Sequence, residues 1–431
     1  MQPVIIPTMH ATPIRRLRER SWVLIAAAAL AFALKTTIAF TTYGTNDVMT
    51  FERDLAKLQA QGAATLYRQG ITYKSPDGAR YENQPFIHPP FMLTVLRTWG
   101  LLRKLTGLPL GFWLRLTSAI ADVLSLVLVA RLLKGLPRLK DAGLGLLAMA
   151  LCPVSVVISG FHGNTDPVMI AFVLLSVYWL ETRRALWMSG AAMGMALSIK
   201  IVPVIFIPAV LLYLPGMRQR WRYLATVAAV FGLGSLPYLV RDPILIAKTL
   251  MSYNSRPGLW GFSVLAVFFG DSANWGWLFR SYAAGGKILV LVAILCVSIA
   301  INLRPNKPPL MLQCGAVAFL FLFLAPGFAM QYLAWLVPWV LALGLWPALV
   351  FYAVTGVFVF IVYNDWCGGF PWYAADVLFR PWEVRHAMLG LICWAAVAVI
   401  LALYLKQVLP RGRESGLNSD DPAALPGSLR L

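Results

Sequence analysis

Asp47 stands where the first long apolar run ends, in TYGTND (Thr42 to Asp47), and Lys200 stands inside a later one, in LSIKIVP. An aspartate has an ordinary pKa near ~3.9, so at neutral pH it is ionised and can take a proton from a hydroxyl; burial would raise its basicity. A lysine among apolar residues is costly unless paired or hydrated, which makes it a functional candidate by default. Such a cation suits an anionic leaving group. Between the two lies FHGNTDP, carrying His162, Asn164 and Asp166. His88 closes the first loop in YENQPFIHPPF, Glu52 follows Asp47 closely, and Gln331-Tyr332 come soon after Pro326-Gly327.

Each of these residues also has a plainer reading. Asn46 or Asp47 can N-cap the following helix, since a side-chain oxygen there satisfies free backbone N–H groups. Asp166-Pro167 is likewise a cap followed by proline at the first helical position. A cap can also hold a reactive carboxylate in place. His162 and Asp166 could ligate a metal, but the sequence offers no third ligand nearby. Tyr332 and Trp335 are explained by interfacial anchoring as well as by a site. Lys35 lies one turn from the end of its helix and can snorkel outward.

The elements that carry these residues follow from composition. Apolar residues make up 59% of the 431-residue chain and charged residues only 13%, with a mean hydropathy of +0.70; a soluble domain carries about a quarter charged residues. Apolar runs of roughly the ~20 residues needed to cross a bilayer recur from Trp22 to Tyr404. The fold class is therefore an all-α polytopic membrane protein. The first run follows Arg15, Arg16, Arg18 and Arg20, lacks a small-residue cleavage site, and reads as a retained signal-anchor. The net charge of +19 is spread between apolar runs, which marks topology and argues against nucleic acid as a partner. The five cysteines are scattered, without metal or disulfide spacing.

Basic links at Arg131–Lys140, Glu181–Arg184, Arg218–Arg222 and Arg304–Lys307, with both termini, belong to the cytoplasmic side. The poorly charged links at Gly160–Asp166 and Ala325–Gln331 then face outward. So do a long first loop, about 42–110, a second, about 241–285, and Asn364–Arg385. Pro89–Leu102 must be a juxtamembrane or re-entrant helix, because a crossing there would invert every later link. This gives about twelve crossings (11–13). Ala185–Leu214 is too long for one span and too short for two, so it reads as a hairpin turning at Ser198-Ile199-Lys200. Asp47, Asp166 and Lys200 all come to the non-cytoplasmic side. After Asp47, the steps Val48, Phe51, Leu55, Leu58 mark an amphipathic surface helix ending near Gly62.

A carboxylate at an outward cavity, a deep cation and a surface helix suit sugar transfer from an isoprenoid phosphate. Taken in order, TYGTND, LQAQGAATLY, YENQPFIHPPF, FHGNTDP, LSIKIVPVIFIPAVL and QYLAWLVPW resemble the C-type (GT-C) integral-membrane glycosyltransferases. The likeness is to their polyprenyl-phosphate-sugar-dependent mannosyltransferase branch, which includes the first mannosyltransferase of GPI-anchor synthesis and its bacterial relatives. It spans about Tyr43 to Trp339. It implies inverting transfer of a hexose, mannose first, to a lipid or glycan acceptor on the periplasmic face. Asp47 matches the family's first-loop acid, taken as general base, and Lys200 a basic residue near the donor phosphate. Asn46, Glu52, His88, His162, Asn164, Asp166, Gln331 and Tyr332 are the further candidate substrate-binding residues, with no sharper role assigned to the His162–Asp166 motif. The family's DxD-like pair is absent, since Thr45-Asn46 precede a single acid. No cofactor is required, and a divalent cation has no spelled-out ligand set.

The alternative is a secondary transporter or lipid flippase, which also uses midplane charges and broken helices. Transporters of that kind show matching interruptions in two halves, and the hairpin at Lys200 has no counterpart in Gly285–Leu405. The expected organisation is a basic cytoplasmic segment 1–21, one catalytic membrane domain 22–406, and a polar tail 407–431, disordered in the cytoplasm. The expected setting is a bacterial inner membrane.

Overall fold

Inside a bilayer every backbone N–H and C=O must find its partner within the chain, and this sequence meets that demand with helices. The computed structural model describes residues 13–74, 78, 81–135, 142–240, 242–251, 255–268, 276–304 and 306–409. The extreme N-terminus, most of the tail and parts of the basic links and second outer loop lie outside these residues.

The helices are α1 (Pro13–Thr41), α2 (Asn46–Gln69), α3 (Phe91–Thr106), α4 (Leu110–Leu132), α5 (Ala142–Ala150), α6 (Pro153–Val156), α7 (Asp166–Glu181) and α8 (Leu186–Ile199). They continue with α9 (Ile207–Tyr213), α10 (Met217–Leu239), α11 (Pro243–Met251), α12 (Gly261–Phe268), α13 (Gly276–Asn302), α14 (Leu310–Leu324), α15 (Val337–Val340), α16 (Leu345–Cys367) and α17 (Val384–Val408). Five are long and apolar enough to cross a membrane, and counting two bent pairs as spans brings the number to seven. Shorter apolar helices add Leu186–Ile199, Val202–Tyr213, Leu310–Leu324 and Met330–Leu343. The protein is an integral membrane protein.

Two packed groups build the core. In one, α4 lies between α1 and α7, and α8 between α7 and α10; in the other, α14 packs on α13 and α17 while α16 joins α17 to α5 and α6. Lys35 sits at the heart of the first group and does not snorkel. It is 2% exposed, ion-paired with Asp122 of α4 and bonded to Ser155 Oγ at 2.7 Å. Ser159 donates to the same carboxylate at 3.0 Å. Pairing across helices satisfies the buried ammonium's donors, so it has no need to reach the interface.

The outer loop is organised by α2. Val48, Phe51, Leu55 and Leu58 are buried, α2 packing on α3 and α4, with Phe51 edge-on to Trp99 at 6.0 Å. Gly62, at φ 81° and ψ 172°, interrupts the helix where the sequence reading ended it, but the chain resumes helically to Gln69. α3 is a 16-residue amphipathic helix that packs on α2 and α4.

Two breaks matter for function. After α6 the chain widens into a π-turn, Val157–His162, and then turns through Gly163. Such turns recur at functional sites because they re-aim side chains. After α8 the chain breaks at Lys200, which is extended (φ −145°, ψ 149°), before a 3₁₀ turn at Val202–Phe206 leads into α9. This break falls where the hairpin was expected. Short strands clip the outer loops together: β1 (Gly44–Thr45), β2 (Ile71–Lys74), β3 (Tyr81–Gln84), β4 (Arg256–Pro257), β5 (Gly327–Phe328) and β6 (Ala374–Ala375). β1 pairs in parallel with β6, while β2 with β3 and β4 with β5 are antiparallel.

Candidate active site

The cap of α2 is Thr45, not Asn46 or Asp47. Its hydroxyl accepts from the Asp47 backbone N–H at 3.2 Å and donates to the His162 carbonyl at 2.6 Å. Asn46 is spent elsewhere, accepting from the Val377 N–H at 2.6 Å and so tying down the loop after β6. With the cap supplied by its neighbour, the Asp47 carboxylate is free for chemistry at the start of the helix.

Two side chains from the π-turn loop hold it there. Asp47 Oδ2 accepts from Asn164 Nδ2 at 2.8 Å and lies 3.1 Å from His162 Nε2. The other ring nitrogen, Nδ1, is hydrogen-bonded to the Tyr363 hydroxyl of α16. A carboxylate only accepts, so a proton on Nε2 faces Asp47, while the tyrosine hydroxyl fixes the ring from its other side. Gly163 makes the juxtaposition possible. It lies at φ +83°, and a Cβ there would fall 2.3 Å from Val48 Cγ2 of α2.

A second cluster lies directly behind. Lys200 Nζ donates to both oxygens of Asp166 at 2.8 Å and to Asn164 Oδ1 at 3.0 Å. Trp335 Nε1 donates to Asp166 Oδ1 at 2.8 Å. Asp166 is wholly buried in the first turn of α7, so its charge is held by lysine, indole and helix N-terminus together. Lys200 thus has a full carboxylate partner, and its ammonium donors are engaged by Asp166 and Asn164.

These groups edge a cavity of about 730 Å³. Asp47, His88, His162, Asn164, Lys200, Gln331 and Tyr332 line it; Asn46, Glu52 and Asp166 do not. Glu52 points instead toward Tyr43, whose hydroxyl donates to it at 3.2 Å. One wall was not legible from sequence. Arg256, Arg380, Trp366 and Trp382 come from the second outer loop, the end of α16 and the α16–α17 connection. Both arginines are exposed, neither meets a carboxylate among the described residues, and both indole N–H groups are buried without a partner. Tyr363 was also missed, because a tyrosine near the end of an apolar run carries no signal of its own.

Burial by itself would push the Asp47 carboxyl up, but His162, Asn164 and Lys200 outweigh it and hold the group below the usual aspartate range. His88 moves the other way. Burial, aided by the Lys200 charge, lowers it to about 3, so it is neutral at physiological pH.

His162 faces Asp47 while Asp166 faces Lys200, so the metal pairing considered for them is not formed. Among the described residues, Asp365, Glu383 and His386 are grouped closely enough to hold an ion. Two of them belong to the N-terminal cap of α17, and Asp365 reaches it from the end of α16. Glu383 and His386 make a capping box, His386 Nε2 meets Asp365 at 2.6 Å, and Arg385 bridges Asp365 at 3.0 Å and Glu383 at 2.8 Å. The arginine already supplies the positive charge a cation would bring.

The chain is similar to GPI mannosyltransferase 1 of Debaryomyces hansenii, 26% identical over 136 residues, covering 30% of this chain and 33% of that protein. It spans only about a third of that relative's length. It is also similar to the polyprenol-phosphate-mannose-dependent alpha-(1-2)-phosphatidylinositol mannoside mannosyltransferase of Mycobacterium tuberculosis. There the identity is 23% over 368 residues, 78% of this chain and 80% of the relative. A crystal structure of ArnT from Cupriavidus metallidurans bound to undecaprenyl phosphate superposes with a TM-score of 0.48 at 15% identity, over 89% of this chain and 75% of that one. The model of glycosyltransferase family 87 matches residues 86–326, a span that holds His88, the FHGNTDP segment and Lys200. Matched over more than half its length, the chain belongs to glycosyltransferase family 87.

Proposed function

We propose that this glycosyltransferase moves a hexose, mannose first, from a polyprenyl-phosphate donor to a hydroxyl of a lipid or glycan acceptor, with inversion at the anomeric carbon. Asp47 is the general base. The observation that carries this reading is the Asp47 carboxylate standing uncapped at the cavity, oriented by His162 and Asn164. Its lowered pKa keeps it ionised, and bond formation to the anomeric carbon makes the acceptor hydroxyl acidic enough to give up its proton.

The leaving phosphate needs a cation, and the geometry shifts that role relative to the sequence expectation. Lys200 Nζ is already engaged by both oxygens of Asp166 and by Asn164, so we assign the phosphate chiefly to Arg256 and Arg380, with the free indole N–H groups of Trp366 and Trp382 beside them. Lys200 then acts mainly by fixing Asn164, and through it Asp47. Family membership favours the enzyme over the transporter. We further place about twelve crossings in a bacterial inner membrane, with both termini cytoplasmic and the cavity outside.

The direct test offers membranes containing the full-length protein three labelled donors: polyprenyl-phosphate mannose, glucose and arabinose. Transfer from mannose above the other two is expected. Transfer from none of them contradicts the reading.

A further inference from the structure

Asp54 belongs to none of the contacts described so far. It follows Asp47 by seven residues, two turns along α2, so both carboxyls lie on one helix face about 10 Å apart along the axis. Its side chain is 2% exposed, it lines the same cavity, and its Oδ1 is buried without a hydrogen-bond partner. The nearby cations are engaged elsewhere. Lys57 donates to the Gly70 carbonyl at 2.6 Å, and Arg53 lies over the Tyr73 ring at 4.4 Å while reaching the Thr72 carbonyl at 3.3 Å. A buried carboxyl with an open acceptor is rare in a folded chain and calls for an explanation.

The surroundings name one. Asn83 and Gln84 bring amides to the lining of the same cavity, Gln84 donating to Glu82 at 3.4 Å, and Phe51 and His88 bring a pair of rings 5.3 Å apart. A carboxyl, amides and ring faces are the complement of a sugar, with its hydroxyl edge and its apolar C–H faces. The arginines and free indoles that suit a phosphate come from other loops. Burial also pushes the Asp54 carboxyl up to about 7, so near neutral pH it can accept from one hydroxyl or donate to another.

We propose that Asp54 is a sugar-binding residue of the acceptor side, its carboxyl holding hydroxyl groups of a hexose placed along α2 from the Asp47 base. The assignment to the acceptor rests on the glycosyl-transfer reading; the sugar-binding site itself does not.

The test uses full-length protein in lipid nanodiscs, titrated calorimetrically with methyl α-D-mannopyranoside, methyl α-D-glucopyranoside and undecaprenyl phosphate. Asp54→Asn and Asp54→Leu are expected to weaken binding of a methyl hexoside about tenfold or more, as loss of a charge-assisted hydrogen bond does. Affinity for undecaprenyl phosphate should stay within about twofold, far below the cost of removing a phosphate contact. The melting temperature of Asp54→Leu should hold or rise, because that variant removes a buried polar group that lacks a partner. Wild-type protein that binds neither hexoside, or variants that bind as wild type does, would overturn the proposal. So would variants that lose binding only together with a lowered melting temperature, which would make Asp54 structural. Turnover from polyprenyl-phosphate mannose separates the two readings. Asp54-dependent hexoside binding without transfer removes the transferase reading alone, whereas transfer with an unchanged acceptor KM in Asp54→Asn removes this one alone.

Discussion

Asn164 joins Asp47 to Lys200: its Nδ2 donates to the carboxylate at 2.8 Å while its Oδ1 accepts from the ammonium at 3.0 Å. One amide therefore couples the cavity-edge acid to the buried ion pair behind it. The lysine polarises the amide, and the amide hands that polarisation to the base.

Asn164→Ala should lower kcat by about a hundredfold, comparable to removing one preorganised donor from an active site. The pH profile gives a sharper readout. Asp47 is held below the ordinary aspartate range, so protonation silences the base only at low pH. Removing the Asn164 donor raises that pKa, and the acid limb of kcat/KM should move to higher pH. An acid limb that stays in place would mean the amide does not stabilise the carboxylate.

Lys200 and Asp166 form a pair with 6% and 0% exposure. Lys200→Met or Asp166→Asn alone strands a buried charge or its donors, and each should cost about 3–5 kcal/mol of stability. The double variant should recover most of that loss. Thermal unfolding of the purified singles and double checks this, and additive losses would show that the pair is not coupled.

Arg256→Ala and Arg380→Ala should raise the KM for the polyprenyl-phosphate donor about tenfold or more while leaving the acceptor KM near wild type, since each removes a charge-assisted contact to phosphate. Lys200→Met should act mainly on kcat. Initial-rate kinetics with both substrates varied distinguishes the two patterns.

Tyr363→Phe removes the hydroxyl that fixes His162 through Nδ1. The imidazole then loses its fixed orientation, and kcat should fall about fivefold with KM unchanged, in line with a net hydrogen bond of about 1 kcal/mol. Steady-state rates measured beside circular dichroism separate this from unfolding.

Much of this arrangement is written locally in the chain. The apolar steps of α2, the prolines before α3 and the lysine stranded between two short apolar arms each declare an element or a break through periodicity and charge. The partners that complete the site are not local. Tyr363 lies 201 residues from His162, and Arg256 and Arg380 arrive on separate loops clipped by two-residue strands. Asp54 was hidden for another reason. Beside Glu52, Arg53 and Lys57 it reads as one more charge on a wet helix face, and only the folded chain reveals that it is buried. Lys35 misled in the same way, since its distance from the helix end says nothing of Asp122, which waits 87 residues further on.

The central claim is that Asp47 takes the proton from the acceptor. Asp47→Asn keeps the shape and removes the base, and it is best measured as transfer of labelled mannose in membranes containing matched amounts of folded protein. The account predicts a loss of at least about a thousandfold, within the range expected for a general base. A variant that keeps a tenth or more of wild-type transfer would contradict it.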